Sequence, residues 1–558
     1  MRIGRLRPWI WPLLVLLCAA SFIVNLAVII ADQIDDAYDP MHLEKTGRLL
    51  AHALQGNAAA WEAFRLDTAA SSYPSLIHYT TLPVRWIAGD VPRAGAVTVA
   101  VWSLLAILSA FGIGHLLAGD RAGMFAALFT ALTPGLYRFS RMEMVDVPLA
   151  AVVTLAIFLL LRSDGLLHRA PSLAFGAVCS VGMMTKQSFP LYLAVPSLYL
   201  ILAGYLEDKS EARRHRLLNV LIAGAMTLLA GVAVLVPNLH AWFTGRQVVR
   251  AFYLQTDEAG FLDNLRLLIT DGLGPILSVL TLIGLLVVSK KDRGVRTLIL
   301  WLAAPLLVLH ITYGMLSTRY LLPLLPAGTV LAALGLEQLP AVGSRSRRIA
   351  KATVLILLVV AATAYDHLRP EQTVFSFESY ENRLHLVGVP RPQRSNWGLA
   401  PLTQALETNS ADARVILLID SPFTSMIQGR LWMLDPLANV TNLFEWASVG
   451  RTPPGLDNDD TLREYLSAAD FLVVKTGFNR DVRNYSQPQD VDAHFAQRVF
   501  QIFFEIKPHF ELIQHFPYPE DIGPILLYQR RQGEPAEATT APPNEVRREI
   551  RSAPDLEE

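Results

Sequence analysis

Cysteine is nearly absent from this chain. Only Cys18 and Cys179 occur, both inside apolar runs. That excludes a disulfide framework for any water-exposed part, and without a Cys-x-x-Cys pair or a Cys/His cluster there is no zinc-finger spacing. Charge is scarce as well. Asp, Glu, Lys and Arg make up 17% of the 558 residues, against about 25% in soluble proteins. The net charge of −1 carries no sign of a nucleic-acid partner, and none is expected. Apolar residues fill the space: 52% of the chain is hydrophobic and the mean hydropathy is +0.35. This is the composition of a polytopic membrane protein with some water-soluble mass attached.

The first apolar run, Trp9 to Ile30, is long enough to cross a bilayer. It follows Arg2, Arg5 and Arg7 but is longer than a signal-peptide core, and no small-x-small pair closes it, so an uncleaved span is expected. Further runs cover 95–118, 122–138, 146–161, 171–185, 189–205, 217–237, 271–289, 297–314, 320–338 and 349–365. With the first, they predict about eleven transmembrane helices. Every second break is basic: Arg121, then Arg162 and Arg169, then Lys209, Arg213, Arg214 and Arg216, then Lys290, Lys291, Arg293 and Arg296, then Arg345, Arg347, Arg348 and Lys351. The intervening breaks carry Asp35 and Asp36, then Glu143 and Asp146, then Asp257, Glu258 and Asp263. The positive-inside rule therefore predicts a multi-pass plasma (inner) membrane protein with a cytoplasmic N-terminus and an extracytoplasmic C-terminal part.

The expected fold class is an α-helical polytopic membrane protein with a C-terminal soluble α/β domain. The membrane module would occupy 1–367, the extracytoplasmic domain 368–531 and a disordered tail 532–558, rich in Pro, Glu, Ala and Arg. Within the module, an outer loop over 32–94 carries Met41, Leu43, Leu49, Leu50, Ala53 and Leu54 at near-helical spacing, with Trp61, Phe64, Tyr73, Tyr79 and Trp86 suited to an interface. One or two short helices along the membrane surface are predicted there. In the C-terminal part, 414–420, 470–475, 510–513 and 524–528 read as strands, and 397–408, 459–468 and 487–506 as helices, predicting a small mixed sheet. The cluster Asp457-Asn458-Asp459-Asp460 lacks the ligand spacing of a calcium loop and reads as a helix cap or solvated turn.

The chemistry concentrates on the outer face. Asp35 and Asp36 follow the first span directly. Arg141 to Leu149 contains Glu143 and Asp146, the latter starting a helix with Pro148 in its first turn. Lys186 is a positive charge outside, against the topology bias, and Arg319 with Tyr320 opens a late outer helix. Each has an ordinary structural reading: a solvated helix exit for the acidic pair, a helix cap for Asp146, a snorkelling side chain for Lys186 and a tied-down helix end for Arg319. Together they can form one site, with Lys186 and Arg319 clamping a phosphate and a carboxylate accepting a proton from an attacking hydroxyl.

In this order the elements resemble the GT-C membrane glycosyltransferases, in particular the protein O-mannosyltransferase and aminoarabinose-transferase branch. Asp35-Asp36 is similar to that family's acidic pair, with Asp36 where Glu is usual. Tyr73-Pro74-Ser75-Leu76 falls where a basic residue and two prolines are common. Arg141 to Leu149, Gly182-Met183-Met184-Thr185-Lys186 and Thr318-Arg319-Tyr320 with Pro323 and Pro326 resemble later motifs. The resemblance spans about 9 to 335. It implies a sugar donor on polyprenyl phosphate, of the undecaprenyl or decaprenyl kind, and a lipid, polysaccharide or protein acceptor beside the membrane lipid. It implies Asp35, with Asp36, as base or acceptor-orienting group. Asp146 and Glu143 would orient the reactants, Lys186, Arg319 and Tyr320 would hold the donor phosphate, and the anomeric centre would be inverted. No cofactor is expected, and metal dependence stays open because an acidic pair can bind a divalent ion. The rival readings are an oligosaccharide polymerase and a polyprenyl-linked sugar transporter or flippase. The transporter reading lacks the inverted repeat and mid-membrane charges such proteins carry.

Overall fold

Local sequence explains where most helices start and stop. The computed structural model describes residues 7–31, 39–70, 73–89, 91, 93–236, 261–313, 318–338, 401–402, 404–406, 413–418, 431–432, 438–443, 456, 458–475, 493–516 and 525–531. Helix α1 (Ile10–Ala31) is apolar all round. Ile10 and Leu14 pack on Ile107, Phe111 and Ala127, while Leu16, Ile23 and Ile30 stay uncovered, as a lipid-facing surface requires. Three helices follow where one or two were expected: α2 (Asp39–Leu54), α3 (Ala58–Ala70) and α4 (Leu76–Ala88). Met41, Leu43, Leu49 and Leu50 are buried as their spacing predicts, but Leu54 ends α2 exposed. Trp61, Tyr79 and Trp86 are exposed aromatics and Phe64 is buried.

Helix α5 (Ala94–Ala118) stops at Gly119, whose φ of 85° favours glycine. The run expected over 122–138 is two helices, α6 (Asp120–Ala131) and α7 (Pro134–Phe139), because Pro134 cannot continue the first and suits the opening turn of the second. Helix α8 (Asp146–Arg162) is the centre of the bundle: Val147, Leu149, Ala150, Val153, Ala156, Ile157 and Leu160 are fully buried. It packs on α5, on α9 (Arg169–Thr185) and on α10 (Phe189–Glu207). Helix α11 (Ser210–Leu235) leans on α9 and leaves Leu221, Leu228 and Leu229 uncovered.

The run expected over 271–289 is also broken. Helix α12 (Phe261–Leu267) runs into a π-turn at Leu268–Gly272, and after Gly274 the chain enters α13 (Pro275–Val287) at a bend of 114°. Helix α14 (Arg293–Tyr313) precedes the short α15 (Thr318–Leu321), a 3₁₀ turn at Leu322–Leu324 and the buried α16 (Leu325–Gln338). Helices α13 and α16 approach backbone to backbone at Gly284 and Gly335, where a Cβ on either would strike the other helix. Among the described residues, 6 helices are long and apolar enough to cross a membrane, or up to 7 if the bent pair is one span, where about eleven were expected. The run at 349–365 lies outside the described residues, and α6, α8 and α9 have 12, 17 and 17 residues.

In the C-terminal part β1 (Val415–Leu418), β2 (Val440–Asn442), β3 (Phe471–Lys475), β4 (Phe510–Phe516) and β5 (Ile525–Arg530) form one sheet, in the order β2-β1-β3-β5-β4. β1 lies parallel to β2 and β3, and β5 antiparallel to β3 and β4. Helices α17 (Asp459–Ser467) and α18 (Ala493–Ile506) cover one face, through Leu462, Leu466, Val499 and Ile502. Asn458 caps α17, its side chain accepting from the Thr461 amide at 2.8 Å, which settles the acidic cluster as a helix start.

Candidate functional site

The N-terminal end of α8 meets the C-terminal end of α9. Asp146 opens α8, and Lys186 caps α9 in an extended conformation, its amide bonded to the Gly182 carbonyl. Lys186 Nζ lies 2.6 Å from Asp146 Oδ1. The two residues are 1% and 6% exposed, so Lys186 is neither snorkelling nor solvated. Asp146 Oδ2 is buried and has no hydrogen-bond partner among the described residues. A buried carboxylate oxygen left unsatisfied is costly, so it is a ready acceptor for a group brought in from outside.

The ring of Tyr320, from α15, lies near both Lys186 and Arg319. Lys186 Nζ is 5.1 Å and Arg319 Cζ 5.0 Å from its centroid. Arg319 Nη2 donates to the Tyr320 hydroxyl at 3.1 Å, and the Tyr192 hydroxyl of α10 donates to the Tyr320 carbonyl at 2.8 Å. Tyr73 closes another side, its ring 5.5 Å from Lys186 Nζ. The Thr318 hydroxyl is buried without a hydrogen-bond partner among the described residues. Asp146, Lys186, Arg319 and Tyr320 thus come together. Asp35 and Asp36 lie outside the described residues.

Glu143 belongs to a different cluster. It is fully buried and pairs with Arg85 of α4, Nη2 to Oε2 at 3.3 Å. Arg85 Nη1 also holds Glu44 of α2 at 2.8 Å, and the Gly95 amide at the start of α5 donates to Glu44 Oε2 at 3.4 Å. Gly95 is glycine because any Cβ there would collide with the Glu143 carboxylate. Burial pushes the Glu44 carboxyl up, but Arg85 and a hydrogen bond to Glu143 outweigh it and hold it below the usual carboxylate range. His78, also on α4, is pushed down to about 4 by burial and then by the Arg85 charge, and is neutral near pH 7.

The sequence reading singled out neither Arg85 nor Glu44. The criterion that pointed to Lys186, a positive charge in an outer segment, applies equally to Arg85. Among the described residues no three His, Cys, Asp or Glu side chains gather as a metal cluster.

The fold occurs in known proteins. Residues 74–242 match the family model described as dolichyl-phosphate-mannose-protein mannosyltransferase. The structure resembles ArnT from Cupriavidus metallidurans in the apo state, with a TM-score of 0.58 and 14% identity over 92% of this chain and 97% of that one. The chain thus has a GT-C fold, shared with ArnT. ArnT bound to undecaprenyl phosphate matches with a TM-score of 0.57 at 14% identity, over the same shares of both chains. The Archaeoglobus fulgidus oligosaccharyltransferase tethered to an acceptor peptide matches at 0.51 and 13% identity, covering 94% of this chain and 74% of that one. No curated protein matches the sequence. The family match and the shared fold are what this chain has in common with membrane glycosyltransferases, and its long apolar helices are those of an integral membrane protein.

Proposed function

We propose that the protein transfers a sugar from a polyprenyl-phosphate carrier to an acceptor on the extracytoplasmic face of the inner membrane, inverting the anomeric carbon. The observation that carries this reading is the placement of Lys186 and Arg319 around the Tyr320 ring, beside the unsatisfied oxygen of Asp146. Two cations on one rim suit a phosphate. ArnT was solved with undecaprenyl phosphate, which supports a lipid-linked donor, and the Archaeoglobus fulgidus oligosaccharyltransferase with a tethered acceptor peptide, which supports a separate acceptor.

In this reading the acceptor hydroxyl attacks the anomeric carbon from the side opposite the phosphate. The bond to the phosphate oxygen breaks, its electron pair leaves with the polyprenyl phosphate, and Lys186 and Arg319 stabilise the growing charge. Asp35, with Asp36, takes the proton of the hydroxyl, and Asp146 Oδ2 orients acceptor or sugar. Glu143 acts through Arg85 rather than on the reactants. Lys186 and Arg319 supply the counter-charge, so no metal is required in this reading. The N-terminus is cytoplasmic, the sheet domain is extracytoplasmic, and the domains divide near 367 and 531.

The experiment is transfer of label from a radiolabelled polyprenyl-phosphate-sugar extract, comparing wild type with Asp35→Asn and Lys186→Met, each shown to be folded in detergent, with and without EDTA. Transfer by wild type and not by the variants is expected, EDTA making no difference. Equal transfer by all three proteins removes the site assignment. No transfer by wild type, with a broad range of acceptors supplied, removes the enzyme reading and favours a lipid-linked-sugar transporter.

A further inference from the structure

The soluble sheet touches the membrane module at a specific point. Leu431 is part of the apolar layer beneath the sheet, with Val415, Leu417, Phe471 and Val473. The next residue, Trp432, is buried against α2. Its ring lies 5.3 Å from that of His42, and Lys45 Nζ sits 4.1 Å from its centroid. Arg48 Nη1 donates to its backbone carbonyl at 2.8 Å. His42, Lys45 and Arg48 are spaced by three residues, so one stripe of α2 receives the tryptophan. Lys45 is further tied to Asp67 of α3 at 3.1 Å.

Helix α2 also carries Glu44, one turn before Arg48 and within reach of its charge. Glu44 and Glu143 share Arg85, and Gly47 leaves the space on α2 that Arg85 fills. Glu143 stands three residues before Asp146, at most about 11 Å of chain away, so it anchors the short segment that leads into α8. Buried polar contacts at Arg48 and at Arg85, joined by helix α2 itself and by the short segment from Glu143 to Asp146, therefore link the sheet domain to the start of α8.

We propose that Trp432 is a positioning residue for the membrane site. By seating on His42, Lys45 and Arg48 it holds α2, and through Glu44, Arg85 and Glu143 it holds the segment that presents Asp146 to Lys186. The sheet domain is then a structural part of the site, required for its geometry even where it touches no reactant. This rests on the glycosyl-transfer reading only for its catalytic consequence.

The test uses the full chain in nanodiscs, with Trp432→Ala, Trp432→Phe and Glu44→Gln, and Phe504→Ala as a control at an exposed position of the sheet domain. Backbone hydrogen exchange is read over 42–54 and 139–146, and kcat and KM where transfer is measurable. Trp432→Ala should speed exchange at least tenfold in both segments and lower kcat at least fivefold. Trp432→Phe should recover most of the loss, and Trp432→Ala with Glu44→Gln should be no worse than the more affected single variant. Phe504→Ala should change nothing. Faster exchange confined to 42–54, no change in either segment, or additive losses in the double variant would overturn the inference. If Trp432→Ala does not fold, Trp432→Phe decides: it should speed exchange in both segments by a smaller factor, and an increase in 42–54 alone counts against the proposal. The exchange result stands whether or not wild type transfers sugar, so it fails independently of the proposed function.

Discussion

Lys186 Nζ and Asp146 Oδ1 are 2.6 Å apart, joining two helix ends that lie 40 residues from each other in sequence. Both side chains are buried. Burying either charge alone is expensive, and only the partner makes the site tolerable. The pair therefore fixes how α8 and α9 meet while leaving one oxygen of Asp146 unsatisfied.

Lys186→Met leaves the Asp146 carboxylate buried without its partner. A loss of about 3–5 kcal/mol is expected. Lys186→Met combined with Asp146→Asn should recover part of it, since the uncompensated charge is gone. Thermal unfolding in one detergent checks this. Equal midpoints for single and double variants would show that the two groups are not coupled.

Arg85 and Glu143 should respond unequally. Arg85→Met strands two carboxyl groups and is expected to cost about 3–5 kcal/mol. Glu143→Gln keeps a hydrogen-bonding group beside Arg85 and leaves the Glu44–Arg85 ion pair, so about 1 kcal/mol is expected. If Glu143 acts only through position, kcat in Glu143→Gln falls by less than about tenfold, whereas loss of a working acid or base costs about 10²–10⁴. Steady-state kinetics of the folded variant separates the two.

Stability should fall on mild acidification, because His78 is held neutral by the fold. Its value is about 4 in the folded chain against 6.5 ordinarily. Between these values the unfolded chain binds a proton that the folded one does not, so stability rises with pH through that window and is flat on either side as far as this group is concerned. The contribution lost from pH 6.5 down to 4 is about 3 kcal/mol. Glu44, held below its ordinary value of 4.5, adds a further loss of the same sign as the pH falls below that value. Unfolding of His78→Gln as a function of pH should lack the upper part of the slope. An unchanged slope there would rule the assignment out.

Gly95→Ala places a methyl group against the Glu143 carboxylate. Overpacking of this kind costs about 1–3 kcal/mol. Glu143→Gln does not make room and should not rescue it, whereas Glu143→Ala should restore part of the stability. Midpoints of the two double variants distinguish a steric clash from a charge effect.

Much of the fold was legible because its signals are local. Apolar length marked α1, α5, α8 and α14, proline and acid placed the start of α8 at Asp146, and short branched runs marked β1, β3 and β5. Hydropathy alone read too much continuity: averaging over a window passes across Thr133-Pro134 and Gly274-Pro275, where the backbone turns. Strand β2 is three residues long and carries Asn442, too short and too polar to show a period.

The candidate site was half legible as a cluster. Lys186, Asp146, Arg319 and Tyr320 stood out as charge and aromatic residues at span boundaries, each with a reason visible in its own neighbourhood. Sequence by itself determined that such groups sit at helix ends on the same side of the bundle, since hydropathy and charge alternation are properties of consecutive residues. Only the tertiary structure decided which charge meets which: Lys186 takes Asp146, while Glu143, three residues away, turns to Arg85 and Glu44, and Trp432 crosses from the sheet to α2. Those pairings join segments 40, 58, 41 and 384 residues apart. They are selected by the cost of leaving a buried charge or polar group alone, and that cost exists only once the helices have packed and excluded water.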